Sequence, residues 1–69
     1  MSKAIRKTFG KRLKKLRLRE KLTQEELALE VDLSNSMIGK YENANTCPSL
    51  VVAKRIADFF GVKIDDMIT

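Results

Sequence analysis

Between Thr23 and Ser34 the chain has room for two turns of helix and no more. Thr23-Gln24-Glu25-Glu26 spells a capping box: the Thr23 hydroxyl accepts from the Glu26 amide, and Glu26 reaches back to the Thr23 amide. Ser34 is a second good N-cap residue. The spacing therefore predicts a helix over 24–31 with Leu27, Ala28 and Val31 inward, broken at Asp32-Leu33. A second helix over about 35–43 then turns Met37, Ile38 and Tyr41 inward. Two helices this short, joined by so tight a turn, leave few folds open.

The flanks add helices and no strand. Ile5, Phe9, Leu13 and Leu16 make one stripe on a helix over about 4–20. Asn43 to Pro48 reads as a loop by composition. Ser49 caps a helix over 50–60 with Leu50, Ala53, Ile56, Ala57 and Phe60 as its stripe, and Gly61 fits the C′ position that ends it. A last short helix over 64–68 begins at Lys63, a poor N-cap. The expected fold is all-α, five short helices around one core, in a single domain over 1–69.

Size and composition exclude several functions. A chain of 69 residues buries only about 60% of its unfolded surface and has no length for a catalytic cleft. With no His and a single Cys, imidazole catalysis and Cys/His metal sites are excluded, so no metal and no cofactor is expected. Cys47 closes no disulfide within the chain, which fits a reducing cytoplasm. No apolar run approaches the roughly 18 residues of a membrane span.

The net charge of +5 hides an asymmetry. Met1 to Lys21 carries ten basic residues against one acid, a net of +9, and Leu22 to Thr69 four against eight, a net of −4. Such a split suggests a polyanion-facing surface, nucleic acid first and anionic membrane second, although a solubilising helix face has the same composition.

The spacing of the second and third helices is that of a helix-turn-helix, whose second helix is available for the DNA major groove. Ala28 is the small residue a close crossing needs, and Leu27, Val31, Leu33, Ile38 and Tyr41 hold the crossing together. Asn35, Ser36 and Lys40 point away from the core. An αα-hairpin with a merely solvated polar face would read the same way.

The stretch from Phe9 to Ile68 resembles the Cro and phage-repressor (XRE-type) helix-turn-helix family. The resemblance is carried by Phe9-Gly10, Leu13 and Arg17, then Leu22-Thr23-Gln24-Glu25-Glu26-Leu27-Ala28, Ser34, Ile38 and Tyr41-Glu42-Asn43. Pro48-Ser49-Leu50, Ile56-Ala57, Phe60-Gly61-Val62 and Asp65 continue it. It implies a cytoplasmic, prokaryotic or phage-encoded DNA-binding protein. It also implies base contacts from Asn35, Ser36 and Lys40 and phosphate contacts from Gln24, Ser34, Asn43, Asn45 and Thr46. Asn35 suits adenine, and Lys40 suits guanine or a phosphate. Arg17 and Glu42 match a structural pair tying the first helix to the end of the recognition helix.

Departures from the family pattern mark specific expectations. Lys21, Asp32 and Ala44 occupy turn positions where the family often has Gly and φ > 0 is expected. At Ala44 the loop is expected to reroute, with Asn43 or Asn45 taking the left-handed residue. Gly39 stands inside the recognition helix, which fits either close backbone approach to DNA or simple tolerance.

A single module buries only about 600–1,000 Å² on DNA, so a homodimer on two half-sites is expected. Val51, Val52 and Phe59, apolar residues left off the core stripes, are interface candidates together with Ile64 and Ile68 near the C-terminus, and the resemblance favours the Ile64 to Ile68 end. The expected function is a sequence-specific transcriptional repressor on a palindromic operator of double-stranded DNA. Two alternatives stand beside it. One is an antitoxin that binds a toxin partner through Val51, Val52 and Phe59 as well as its own promoter. The other is a basic membrane-surface protein, for which the first helix would have to free the stripe it needs for the core.

Overall fold

The computed structural model describes residues 2–69; Met1, the first residue of the expected domain, lies outside them. Five helices follow in order: α1 Lys3–Arg19, α2 Gln24–Glu30, α3 Asn35–Glu42, α4 Leu50–Phe60 and α5 Ile64–Ile68. No strand occurs among the described residues. The helices fill a volume of 27 × 23 × 20 Å, with α3 packed between α1 and α2, and α5 between α1 and α4.

Hydroxyl side chains set four of the five starts. Ser2, Thr23, Ser34 and Ser49 each accept from the amide three residues on, which satisfies one of the donors a helix start leaves free. Thr23 completes its box, with Glu26 accepting from the Thr23 amide at 2.8 Å. At α5 Lys63 supplies no side-chain cap, and Asp66 instead accepts from the Lys63 amide at 3.2 Å.

The stops are also of one kind. After α1, α2, α3 and α4 a single left-handed residue turns the chain: Lys21, Asp32, Ala44 and Gly61, with φ between 57° and 70°. The next amide then bonds back five residues, from Leu22, Leu33, Asn45 and Val62 to the carbonyls of Arg17, Ala28, Lys40 and Ala57. These are Schellman ends, for which Gly is the unstrained residue. Only Gly61 meets that preference. The rerouting expected near Ala44 does not occur: Ala44 itself is the left-handed residue, and the two back-bonds outweigh its cost of about 1–2 kcal/mol.

Phe9, Leu13, Leu27, Val31, Ile38, Ile56 and Met67 are fully buried and form the centre of the core. Phe9 and Tyr41 meet edge to face, their centroids 6.3 Å apart. Phe9 and Leu13 are buried in the core and Leu16 packs half-buried against it, so most of the α1 stripe is not free to lie on a bilayer. No helix among the described residues is long and apolar enough to cross a membrane.

Candidate nucleic-acid interface

The interface begins at the crossing of α2 and α3. Ala28 is buried there, and the Leu33 amide closes the turn onto the Ala28 carbonyl at 2.9 Å. The Ser34 hydroxyl caps α3 at the Met37 amide and lies 3.3 Å from the Ser36 hydroxyl, so its first duty is local.

Along α3 the helical period separates two faces. Ile38 and Tyr41 are buried and Met37 is half-buried against the core, whereas Asn35, Ser36, Lys40 and Asn43 are exposed. Ser36, Lys40 and Asn43 stand at i, i+4 and i+7 and so share one row. Asn35 lies round the helix from that row, where an open crevice is lined by Asn35, Gln24, Thr23, Glu25 and Arg17. Asn45 is exposed and Thr46 half-buried in the loop beyond α3, which Pro48 anchors from inside the protein.

Beneath this surface a buried ion pair fastens α3 to α1. Arg17 donates Nε to Glu42 Oε2 at 2.6 Å and Nη2 to Glu42 Oε1 at 3.0 Å, a two-pronged pair whose side chains are 10% and 3% exposed. The third prong, Nη1, donates to the Leu22 carbonyl at 2.8 Å. The hydrogen bonds to Glu42 hold the Arg17 guanidinium above its ordinary pKa, against a burial that pulls it down. Gln24 joins them, donating Nε2 to Glu42 Oε1 at 3.1 Å. Its side chain crosses Gly39 to get there: a Cβ at Gly39 would stand 3.6 Å from Gln24 Oε1. Gln24 thus holds the end of α3 with its nitrogen and keeps its oxygen free of any protein bond in the set that surrounds Glu42.

Sequence reasoning named Gly10 only as part of the Phe9-Gly10 resemblance and missed its packing role. A Cβ there would lie 2.5 Å from the Tyr41 carbonyl oxygen and 2.8 Å from that of Glu42, so α1 and α3 cross backbone to backbone at this point. The one available signal was a glycine inside an otherwise strong helix-forming run.

The apolar candidates for a subunit interface divide. Val52, Ile64 and Ile68 are half-buried and pack on the core, which corrects the reading of Val52 as a residue off the core stripes. They lie at the edge of their helical stripes, where α4 and α5 lean on each other. Val51 is 69% exposed, and Phe59 is 39% exposed, stacked edge to face on Phe60. Leu50, read as a core residue, is 70% exposed instead, because it sits in the first turn of α4 on the flank away from Ile56.

A family model described as helix-turn-helix matches residues 13–67. The chain is 45% identical over 56 residues to the uncharacterized HTH-type transcriptional regulator MJ0272 of Methanocaldococcus jannaschii, covering 81% of this chain and 85% of that one. It is 36% identical over 61 residues to the HTH-type transcriptional activator BcrR of Enterococcus faecalis, covering 88% of this chain but only 30% of that protein. Among solved structures, the restriction-modification controller protein C.AhdI from Aeromonas hydrophila superposes with a TM-score of 0.82 at 31% identity, over 90% of this chain and 94% of that one. Hydroxypropylphosphonic acid epoxidase from S. wedmorenis superposes with a TM-score of 0.88 at 23% identity. The chain spans 36% of that enzyme, and the likeness is one of fold.

Proposed function

The chain belongs to the helix-turn-helix family of transcriptional regulators, and on that premise we propose that it reads duplex DNA with α3 and represses transcription as a homodimer. The observation that carries this reading is the two-faced α3. Its inner face is fixed by Ile38, Tyr41 and the Arg17–Glu42 pair, while Ser36, Lys40 and Asn43 form a polar row that nothing in the protein covers. Ser36 and Lys40, the first two members of this row, suit base edges in the major groove, with Asn35 reading from the flank. Asn43 at the far end of the row and Gln24, Ser34, Asn45 and Thr46 around it then serve as phosphate contacts. Gln24 would meet a phosphate through Nε2, whose two protons can be divided between Glu42 and DNA, since its Oε1 only accepts.

Dimerisation through α5, with Phe59 beside it, would set two such rows one helical turn of DNA apart. Repression is the reading taken from the resemblance, and the activator relative makes transcription in vitro the necessary assay. The exposed Leu50 and Val51 support a second reading, an antitoxin with a toxin docked on the start of α4. Co-purification of a small partner, lost in Val51→Asp, is its test.

Selection of bound sites from random duplex gives the operator and its half-site spacing. On that operator Asn35→Ala should relax preference at one base pair by about 1–3 kcal/mol, whereas Lys40→Ala should lower the salt slope if the lysine meets phosphate. A specific-to-random preference below about tenfold, with affinity set by salt alone, would refute sequence reading.

A further inference from the structure

The side of α1 turned away from α3 carries a second surface that DNA reading does not use. Gly10 and Arg17 face α3, so Arg12, Lys15 and Arg19 fall on the flank that borders α5. There a cleft of about 280 Å³ runs along the seam between the two helices. Its floor is apolar: half-buried Leu16 and Val62, with Met67 beneath them. Its α1 rim is the row Arg12, Lys15 and Arg19, at spacings of three and four residues, so three cations are strung over about 10 Å of helix.

These charges are poorly matched within the protein. Among the described residues neither Arg12 nor Lys15 has an Asp or Glu carboxylate within 4.0 Å. Arg12 donates to the main-chain oxygen of Thr69 at 2.9 Å, and Arg19 meets only its exposed neighbour Glu20 at 3.7 Å. The one acid on the cleft, Asp66, is already engaged by the Lys63 amide.

We propose that the α1–α5 cleft docks an acidic amphipathic helix of a protein partner. An elongated row of three cations selects carboxylates repeated at one-turn spacing, which a helix presents along one face. The apolar floor between the cations and α5 selects a leucine- or phenylalanine-sized side chain beside those acids. A compact mono-anion would engage one cation and leave two unmatched. Duplex DNA would satisfy the cations and leave the apolar floor wet.

The test uses the full chain and a fluorescent helical peptide of about 18 residues, with Glu one turn apart beside a row of Leu, read by anisotropy. A scrambled peptide of the same composition, polyglutamate and random-sequence duplex are the comparisons. The expected result is saturable binding at least about tenfold tighter than to the scrambled peptide or polyglutamate. Lys15→Glu with Arg19→Glu, both on exposed side chains, should weaken the peptide at least about tenfold and change affinity for the selected operator less than about threefold. Val62→Thr, which keeps shape and adds a hydroxyl to the floor, should weaken the peptide severalfold. Equal binding of scrambled peptide or polyglutamate would overturn the proposal, since charge alone would then explain it. So would a loss of operator affinity in the Lys15→Glu, Arg19→Glu protein as large as the loss of peptide, which would make the flank a DNA surface.

Discussion

Two glycines offer the same substitution with opposite consequences. Gly10 and Gly39 both sit inside helices, where replacing Gly by Ala gains about 1 kcal/mol of helix propensity. At Gly39 the new methyl meets only the Gln24 side-chain amide, at an ordinary van der Waals distance of 3.6–4.0 Å, so the gain stands. At Gly10 it meets two backbone carbonyl oxygens at 2.5 and 2.8 Å, and neither can rotate aside. Relief requires α1 to move off α3, which costs about 1–3 kcal/mol as overpacking and loosens Phe9 against Tyr41 as well. The upper end of that range applies, because the obstacle is backbone on both counts. The net expectation is a loss of about 2 kcal/mol for Gly10→Ala and a gain of about 1 kcal/mol for Gly39→Ala. In a domain of this size 1 kcal/mol moves Tm by about 4–8 °C, so thermal unfolding followed by circular dichroism separates the two variants clearly. If Gly10→Ala melts at or above the parent, the backbone-to-backbone crossing is not what fixes α1 on α3. The Gly39→Ala protein then serves a second purpose. Operator affinity unchanged in a stabilised protein marks Gly39 as tolerated, and a loss marks close approach of that backbone to DNA.

Other perturbations follow from the same contacts. Arg17→Ala leaves the Glu42 carboxylate, 3% exposed, with only Gln24 as partner, and should cost about 3–5 kcal/mol in urea unfolding; Arg17→Lys should recover part of it by restoring charge without the fork. Ala44→Gly should stabilise by about 1 kcal/mol, against the usual effect of glycine, because φ is 60° there. Tyr41 is the one tyrosine, so absorbance near 295 nm titrates it alone. Burial first, and the nearby Cys47 thiolate second, raise its pKa above the ordinary value of about 10. The folded state therefore keeps a proton that the unfolded chain releases. That contribution to stability is complete below about pH 10 and is lost as pH rises through the folded value, and Tyr41→Phe should remove this component of alkaline unfolding.

How much could be read in advance depended on how local the cause was. Helix starts were legible because Thr23, Ser34 and Ser49 act on amides three residues away. The outward set of Asn35, Ser36 and Lys40 was legible from the helical period alone. The stop at Gly61 was legible from its residue type and the left-handed turns at Lys21 and Asp32 from the family resemblance, whereas Ala44 carries no turn signal of its own and its left-handed φ is imposed by the bonds closing behind it. Val52, Ile64 and Ile68 sit at the margins of their stripes, and only the neighbouring helix decides which way such residues go. The partnership of Gln24 with Glu42, and the contact of Gly10 with the Tyr41 and Glu42 carbonyls, join residues far apart in the chain. No local pattern encodes either.

The basic first helix has one more consequence. Lys3, Lys7, Lys11, Lys15 and Arg19 follow one another at intervals of four, so each repels the next along the exposed side of α1. Four such like-charge neighbours work against the helix by about 0.2–0.5 kcal/mol apiece. Added salt should therefore make the folded protein harder to melt while it weakens the grip on DNA, two properties moving in opposite directions with one variable. The molecule carries a self-repulsion along α1 that dissolved salt or an anionic neighbour relieves, and is at its least stable when it is alone in dilute buffer.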